Sequence, residues 1–217
     1  SEHAIIAYLA ALKAGHAVAL LPPGRAQMLA EFLTSFDPHF VYRQVGERWR
    51  LESRELAKPE LHPDLSVLLA TSGSEGQAKW VRLSARNLAA NAQSIRAYLD
   101  LNEGDVAALG LPIHYSYGLS VLNSHLAAGA SVRVICKSII DPGWLGEVTG
   151  GGCTNFAGVP YSYELLEQIR FRQGANPFRF MTCAGGRLAP DLVRAYAAHM
   201  NRSDGRFFVM YGQTEAT

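Results

Sequence analysis

The stretch VAALGLPIHYSYGLSVLNSHLAAGASVRVI, residues 106–135, settles the class of fold. Val106 to Leu111 is short and apolar, as a buried strand is. A loop around Pro112 follows it. Leu119 to Ala128 then reads as a helix stopped by Gly129, a residue suited to a helix end, and Val132 to Ile135 returns to strand. Strand, helix and strand in succession make a βαβ unit, whose two strands run parallel.

The same alternation continues toward both ends. On the amino side, Ile5, Leu9 and Leu12 have helical spacing, with Lys13 in the last turn and Gly15 placed to terminate; Ala17 to Leu21 is a strand. Met28, Leu29, Phe32, Leu33 and Phe36 mark a second helix, Phe40 to Tyr42 a short strand, and Ser66 to Ala70 another. Residues 43 to 65, charged and carrying Pro59 and Pro63, read as an irregular surface segment. Leu88, Ala92, Ile95 and Leu99 then form a helix behind an N-cap at Ser84. On the carboxyl side come a short helix at Trp144 to Val148, a strand at Thr154 to Ala157 and a helix from Tyr161 to Arg170. A strand at Phe180 to Ala184, a helix opened by Pro190 at N1 and a strand at Phe207 to Tyr211 complete the series. The expected architecture is α/β: two stacked lobes of mainly parallel sheet with helices on both faces. The acidic, glycine-containing turn Asp100 to Asp105 is the boundary, giving lobes 1–103 and 104–217.

Bulk properties exclude several classes. A 217-residue chain that is 48% hydrophobic has ample material for a packed core. Lys and Arg number 20 against 19 Asp and Glu, without runs of one sign, so nothing points to a nucleic-acid partner. Cys136, Cys153 and Cys183 lie far apart without a CxxC pair, which signals neither a disulfide framework nor zinc. Ala4 to Leu21 is apolar, but Lys13, Gly15 and His16 interrupt it before Pro22-Pro23, so it reads as helix plus strand and not as a membrane span. It also lacks the layout of a signal peptide, and a cytoplasmic location is expected. The chain opens without Met and closes directly after a Gly-Gln-Thr-Glu turn, as a piece of a longer protein would.

In open α/β sheets ligands bind beyond the carboxyl ends of strands, and four loops there are chemically unusual. Thr71-Ser72-Gly73-Ser74-Glu75-Gly76-Gln77-Ala78-Lys79 packs three hydroxyls, two glycines and a lysine into nine residues, suited to wrapping a phosphate. It is neither a Walker A loop, since Trp80 follows Lys79, nor a dinucleotide fingerprint, since Thr71 stands at the first glycine position; a plain surface turn is the alternative. Leu111 to Leu119 crowds His114, Tyr115 and Tyr117 at a strand end, a partly polar wall for an organic ligand, although a lone histidine such as His114 is more often structural. Cys183 to Leu188 contains Gly185-Gly186, which lets backbone approach a planar group or simply makes a turn. Tyr211-Gly212-Gln213-Thr214-Glu215 sets a hydroxyl beside a carboxylate, suited to a phosphate oxygen and a hard divalent cation.

In this order the four loops resemble the adenylate-forming superfamily of acyl- and aryl-CoA synthetases, luciferases and peptide-synthetase adenylation domains. The lysine loop is similar to its Ser/Thr/Gly-rich motif, Leu111-Pro112-Ile113-His114 to its aromatic gate, and Tyr211 to Glu215 to its Tyr-Gly-x-Thr-Glu motif. Leu12 to Gly15, Gly158-Val159-Pro160 and Gly185-Gly186 fall where the family has similar residues. The resemblance implies a fragment of the large N-terminal domain. It also implies an ATP-dependent activation of a small carboxylic acid to an acyl-adenylate, with pyrophosphate released and coenzyme A as acceptor. Thr71, Ser72, Ser74 and Lys79, with backbone from Gly73 and Gly76, would hold the outer phosphates of ATP. Gly185, Gly186 and Arg187 would lie along the adenine, with Tyr211 stacked near it and Gln213 beside the nucleotide. Thr214 would bond the α-phosphate, Glu215 would hold Mg²⁺, and His114, Tyr115 and Gly212 would contact the acid. Lys79, His114, Thr214 and Glu215 are then the catalytic set.

Three departures qualify the resemblance. Glu75 stands where the family has Thr, Ala78 where it has Pro, and Trp80 where it has Gly. A carboxylate about 4 Å from a phosphate charge is repelled by roughly 4 kcal/mol at an effective dielectric near 20, so Glu75 has to turn away or be bridged by a cation. Glu75 favours a competing reading, a non-catalytic α/β interaction module. The family's ribose-binding aspartate, hinge and C-terminal domain lie beyond the Thr-Glu motif, so this chain alone is expected not to turn over. An amino-acid or fatty-acid adenylation domain loading a carrier-protein arm is the other alternative. An α-amino substrate would need a carboxylate near the gate, and none lies between Ile113 and Gly118.

Overall fold

The computed structural model of the chain describes residues 1–54, 60–72 and 78–216. It divides into two compact units, Ser1–Ala85 and Arg86–Thr217. The division precedes the Asp100–Asp105 turn because the helix between them packs through Ile95 and Leu99 against Phe180 and Phe208, strand residues of the second unit.

The first unit opens with α1, Glu2–Lys13, which leads to β1, Val18–Leu20, and α2, Ala26–Phe36. The strand expected at Phe40 to Tyr42 is the start of β2, Phe40–Val45, and the segment expected to be irregular after it instead extends β2 and returns as β3, Arg48–Ser53, in antiparallel register from Phe40↔Ser53 to Val45↔Arg48. Gly46 at φ 62° makes the two-residue turn possible. Both strands are mostly exposed, so the end of β2 and all of β3 lack the apolar alternation that would have marked them. A second difference concerns β4, Leu65–Ser72, and β5, Ala78–Ser84. The residues after the lysine loop form a strand antiparallel to β4, and β1 is parallel to β4, so this sheet is mixed. Trp80 on β5 packs on Phe32 and Phe36 of α2, with centroids 4.8 and 5.8 Å away, and Leu83 is buried. This burial gives β5 a reason to be a strand despite its charged neighbours Lys79 and Arg82.

The second unit begins with α3, Ala85–Leu99. It continues through β6, Val106–Leu109; α4, Ser116–Ala127; β7, Ser131–Val134; α5, Trp144–Gly150; and β8, Asn155–Gly158. It ends with α6, Pro160–Gln168; β9, Phe180–Cys183; α7, Pro190–Asn201; and β10, Arg206–Val209. The five strands lie in the order β10-β9-β8-β6-β7, every pair parallel. The connection from β6 steps one way across the sheet and the later ones step the other way. With right-handed crossovers, α4 therefore covers one face and α5, α6 and α7 the opposite one.

Side-chain packing agrees. Phe156, Met181 and Cys183 join Trp144, Tyr163, Leu166, Tyr196 and Met200 in the larger core, while Phe180 turns to the other face with Leu99 and Leu101. The amino ends of three strands are tied by Asp105, only 2% exposed. Its carboxylate accepts from Arg179 Nη2 at 2.6 Å and Nε at 3.0 Å, from Thr154 Oγ1 at 2.9 Å and from the Asn102 amide at 3.0 Å. Burial alone would raise its pKa, but these donors outweigh that and hold it below the usual value.

Candidate functional site

Strands β6 and β8 are neighbours whose following connections leave in opposite directions, the crevice where open α/β sheets bind ligands. A cavity of about 270 Å³ lies at this point. Its mouth is made by residues beyond the strand ends: Tyr115, Ser116, Gly185, Tyr211, Gly212 and Gln213. Its floor is the sheet face bearing Asn155, Ala157, Phe180 and Thr182. α3 contributes Asn91, Ser94 and Tyr98, and α4 contributes Tyr117, Ser120, Ser124 and His125.

Each wall follows from local chain geometry. Tyr117, Ser120, Val121, Ser124 and His125 recur at three and four residues, so α4 presents one polar-lined face along its length. Tyr117 shares a 2.6 Å hydrogen bond with Thr182 Oγ1, and burial drives its phenol far above its ordinary pKa, so it is a neutral wall. Tyr98 donates to Met210 Sδ at 3.1 Å, fixing α3 to the loop after β10. The Thr214 hydroxyl donates to Ser116 Oγ at 3.4 Å, which sets the Thr-Glu turn beside the first turn of α4, a turn free of acidic side chains. Gly185 has φ 80°, and a Cβ there would stand 2.2 Å from the Tyr115 hydroxyl. Glycine is thus required for the tyrosine to reach the mouth.

The structure gathers Tyr115, Gly185, Tyr211, Gly212 and Gln213 around one cavity, with Thr214 tied to its rim. Tyr211 is 91% exposed, a ring open to stacking. Gly186 and Arg187 follow Gly185 on the surface without lining the cavity, and Glu215 is exposed in the turn Thr214–Ala216. His114, half-buried, does not line it either; burial lowers its pKa and favours the neutral ring. Thr71 and Lys79 belong to the first unit, where they pair across β4 and β5, with the Thr71 hydroxyl donating to the Lys79 carbonyl at 3.4 Å. The ladder reaches Ser72 and resumes at Ala78; Gly73, Ser74, Glu75, Gly76 and Gln77 lie outside the described residues. Among the described residues no group of three His, Cys, Asp or Glu could hold a metal by itself.

The sequence model of AMP-binding enzymes matches residues 26–217. The chain belongs to this family. Among its relatives, a feruloyl-CoA synthase of Amycolatopsis sp is 31% identical over 159 residues, covering 70% of this chain and 31% of its own length. A medium-chain fatty-acid–CoA ligase of Escherichia coli (strain K12) is 30% identical, covering 71% of this chain and 27% of its own. The crystal structure of ATP-bound MatB from Rhodopseudomonas palustris superposes with a TM-score of 0.79 at 25% identity, covering 99% of this chain and 48% of that one. The chain thus spans under a third of these two ligases and about half of the superposed structure.

Of the walls from α3 and α4, only Tyr117 belongs to a loop that the sequence marks; the rest lie away from the strand ends. The signal was present in α4 as small and polar residues recurring on one helical face. Asn155 and Thr182, alternate residues on strands, had no such local mark.

Proposed function

We propose that the protein carrying this chain activates a carboxylic acid with ATP, forming an acyl-adenylate and pyrophosphate, and passes the acyl group to coenzyme A. The observation that supports this reading is the union, at one cavity mouth, of Tyr115, Gly185, Tyr211 and Gly212 with the Thr214 hydroxyl at the first turn of α4. A carboxylate oxygen entering there attacks the α-phosphorus, the bond from that phosphorus to the bridging oxygen of the β-phosphate breaks, and pyrophosphate leaves with the electron pair. Such a step depends on alignment and charge neutralisation and needs no protein nucleophile. The amino end of α4 and the Thr214 hydroxyl supply donors and a favourable dipole for the negative charge that gathers there. Lys79, with Thr71 and Ser72, is assigned to the outer phosphates, and Tyr211, Gly185, Gly186, Arg187 and Gln213 to the adenosine. His114 and Tyr115 are assigned to the acid at the gate.

Mg²⁺ takes one or two carboxylates together with phosphate oxygens and water, and the exposed Glu215, without an ion pair among the described residues, fits that demand. The cation supplies charge neutralisation on the phosphates. The ligase names of the relatives favour coenzyme A over a carrier-protein arm as acceptor. Acid-dependent exchange of labelled pyrophosphate into ATP tests the reading in the full chain. Glu215→Ala is expected to lower it by about 10²- to 10³-fold, the effect of removing one group that stabilises developing charge. Unchanged exchange in Glu215→Ala, or no exchange with any acid, would overturn the assignment.

A further inference from the structure

Glu215 is exposed, so the direction of its side chain is set by the backbone that carries it. That backbone is a single 3₁₀ turn, Thr214–Ala216, closed by the Ala216 amide donating to the Gln213 carbonyl at 3.0 Å. So short a turn does not hold itself, because one hydrogen bond is set against the ordering of several backbone dihedrals. Two ties from outside supply what it lacks. Thr214 Oγ1 donates to Ser116 Oγ at the start of α4, and Asn91 Nδ2 of α3 donates to the Ala216 carbonyl at 3.4 Å. The residues on either side of Glu215 are thus fastened to two different helices.

α3 also grips the segment at its other end. Tyr98 donates to Met210 Sδ at 3.1 Å, and the Met210 amide donates to the Cys183 carbonyl at the end of β9 at 2.8 Å. Asn91 and Tyr98 are two turns of helix apart, so they stand on one face about 10 Å from each other along the axis. The helix that bears them is itself well seated, with Leu88, Ala92 and Leu99 buried on its other side. It forms a rigid bar to which Met210 and Ala216, the two ends of the segment containing Tyr211, Thr214 and Glu215, are both tied.

We propose that Asn91 is a positioning residue for Glu215: by donating to the Ala216 carbonyl it fixes the turn, and so aims the carboxylate at the cation of bound ATP. The proposal rests on the assignment of Glu215 to Mg²⁺. Asn91 acts through the Ala216 carbonyl and not by contact with the nucleotide, so its effect is confined to binding in which the cation takes part. The groups that orient a metal ligand matter to affinity nearly as the ligand does.

Calorimetric titration of the full chain with ATP, once with Mg²⁺ and once in EDTA, tests it. Asn91→Ala is expected to weaken binding with Mg²⁺ by about tenfold, the lower end of the loss when a group supporting a metal ligand is removed, and to leave binding in EDTA as it was. Asn91→Gln, which keeps the donor on a longer arm, should recover part of the loss. In a Glu215→Ala background Asn91→Ala should change nothing further, because an effect transmitted through Glu215 vanishes with it. Unchanged binding with Mg²⁺ in Asn91→Ala, an equal loss in both media, or a loss that persists in the Glu215→Ala background overturns the proposal. So does a parent that binds ATP equally well in both media or not at all. A loss confined to Mg²⁺ without acid-dependent pyrophosphate exchange in the parent would sink the adenylation reading alone, whereas exchange with the Mg²⁺ response of Asn91→Ala unaltered would sink this one alone.

Discussion

Gly118 shows how tightly the gate loop is folded over the start of α4. A Cβ at this position would lie 2.3 Å from the Pro112 carbonyl oxygen and 3.0 Å from that of Leu111, both backbone atoms without a rotamer to change. Replacing glycine by alanine inside a helix ordinarily stabilises by about 1 kcal/mol. Here the sign reverses: Gly118→Ala is expected to lose about 1–3 kcal/mol through overpacking. Gly110→Ala, where nothing lies within 4 Å and φ is not positive, should be nearly neutral. Urea denaturation of the two variants checks the contrast, and equal midpoints would show that the loop yields freely. The cysteines divide on similar grounds. Cys183 is buried and its thiol is pushed up to about 11 by desolvation, and Cys153 is buried and raised for the same first reason. Cys136 is exposed. Iodoacetamide should modify one thiol in the native protein and three in denaturant, counted by mass.

Among elements, the tie at the amino ends of β6, β8 and β9 carries the clearest prediction. Asp105 precedes β6, Thr154 precedes β8 and Arg179 precedes β9, so a single carboxylate holds the start of three parallel strands. Arg179→Ala leaves Asp105 buried and short of its charged partner, and a loss of about 3–5 kcal/mol is expected. Arg179→Met with Asp105→Leu should recover most of it, since a buried pair replaced by apolar groups is often neutral. Recovery no better than the single variant, by chemical denaturation, would mean the strands depend on this carboxylate for more than charge balance. The parallel strands were legible because each is a short apolar run flanked by a helical period, a pattern that survives without knowledge of its neighbours. Of β2 only Phe40 to Tyr42 was legible, and β3 and β5 were not. β2 and β3 expose both faces, and β5 takes its pairing from β4 and its burial from Trp80 against α2, contacts that depend on distant residues. The site divided in the same way. Its mouth residues sit in recognisable loops, but Asn155, Thr182 and His125 matter through facing one another across a sheet and a helix, which no local window records.

Taken over the whole molecule, the second unit carries three histidines whose neutral form is favoured by packing. His125 and His199 are 2% and 3% exposed, His114 is half-buried, and desolvation is the first cause lowering the pKa of each. Around His125, Asp105 and Asn155 favour its charged form and Arg179 opposes it; around His199, Arg202 and Arg172 oppose and Glu167 favours it. The net direction is downward in each case, so between the folded pKa and the ordinary value of 6.5 the unfolded chain binds protons that the folded one refuses. Stability is therefore unaffected by these groups above about pH 7 and is lost as pH falls below 6.5. Each contributes a slope of up to about 1.4 kcal/mol per pH unit, and His114 less because water reaches it. Asp105 acts in a separate window: held below 3.8, its contribution is present above that value and lost as pH falls through its folded pKa. Melting temperature measured from pH 8 to pH 4.5 should accordingly be flat at first and then fall below pH 6.5. His125→Phe combined with His199→Phe should flatten the first part of the fall, because two of the three histidines that take up protons on unfolding are gone. A double variant with the same slope as the parent would place the proton uptake on other groups and remove these histidines from the account of acid stability.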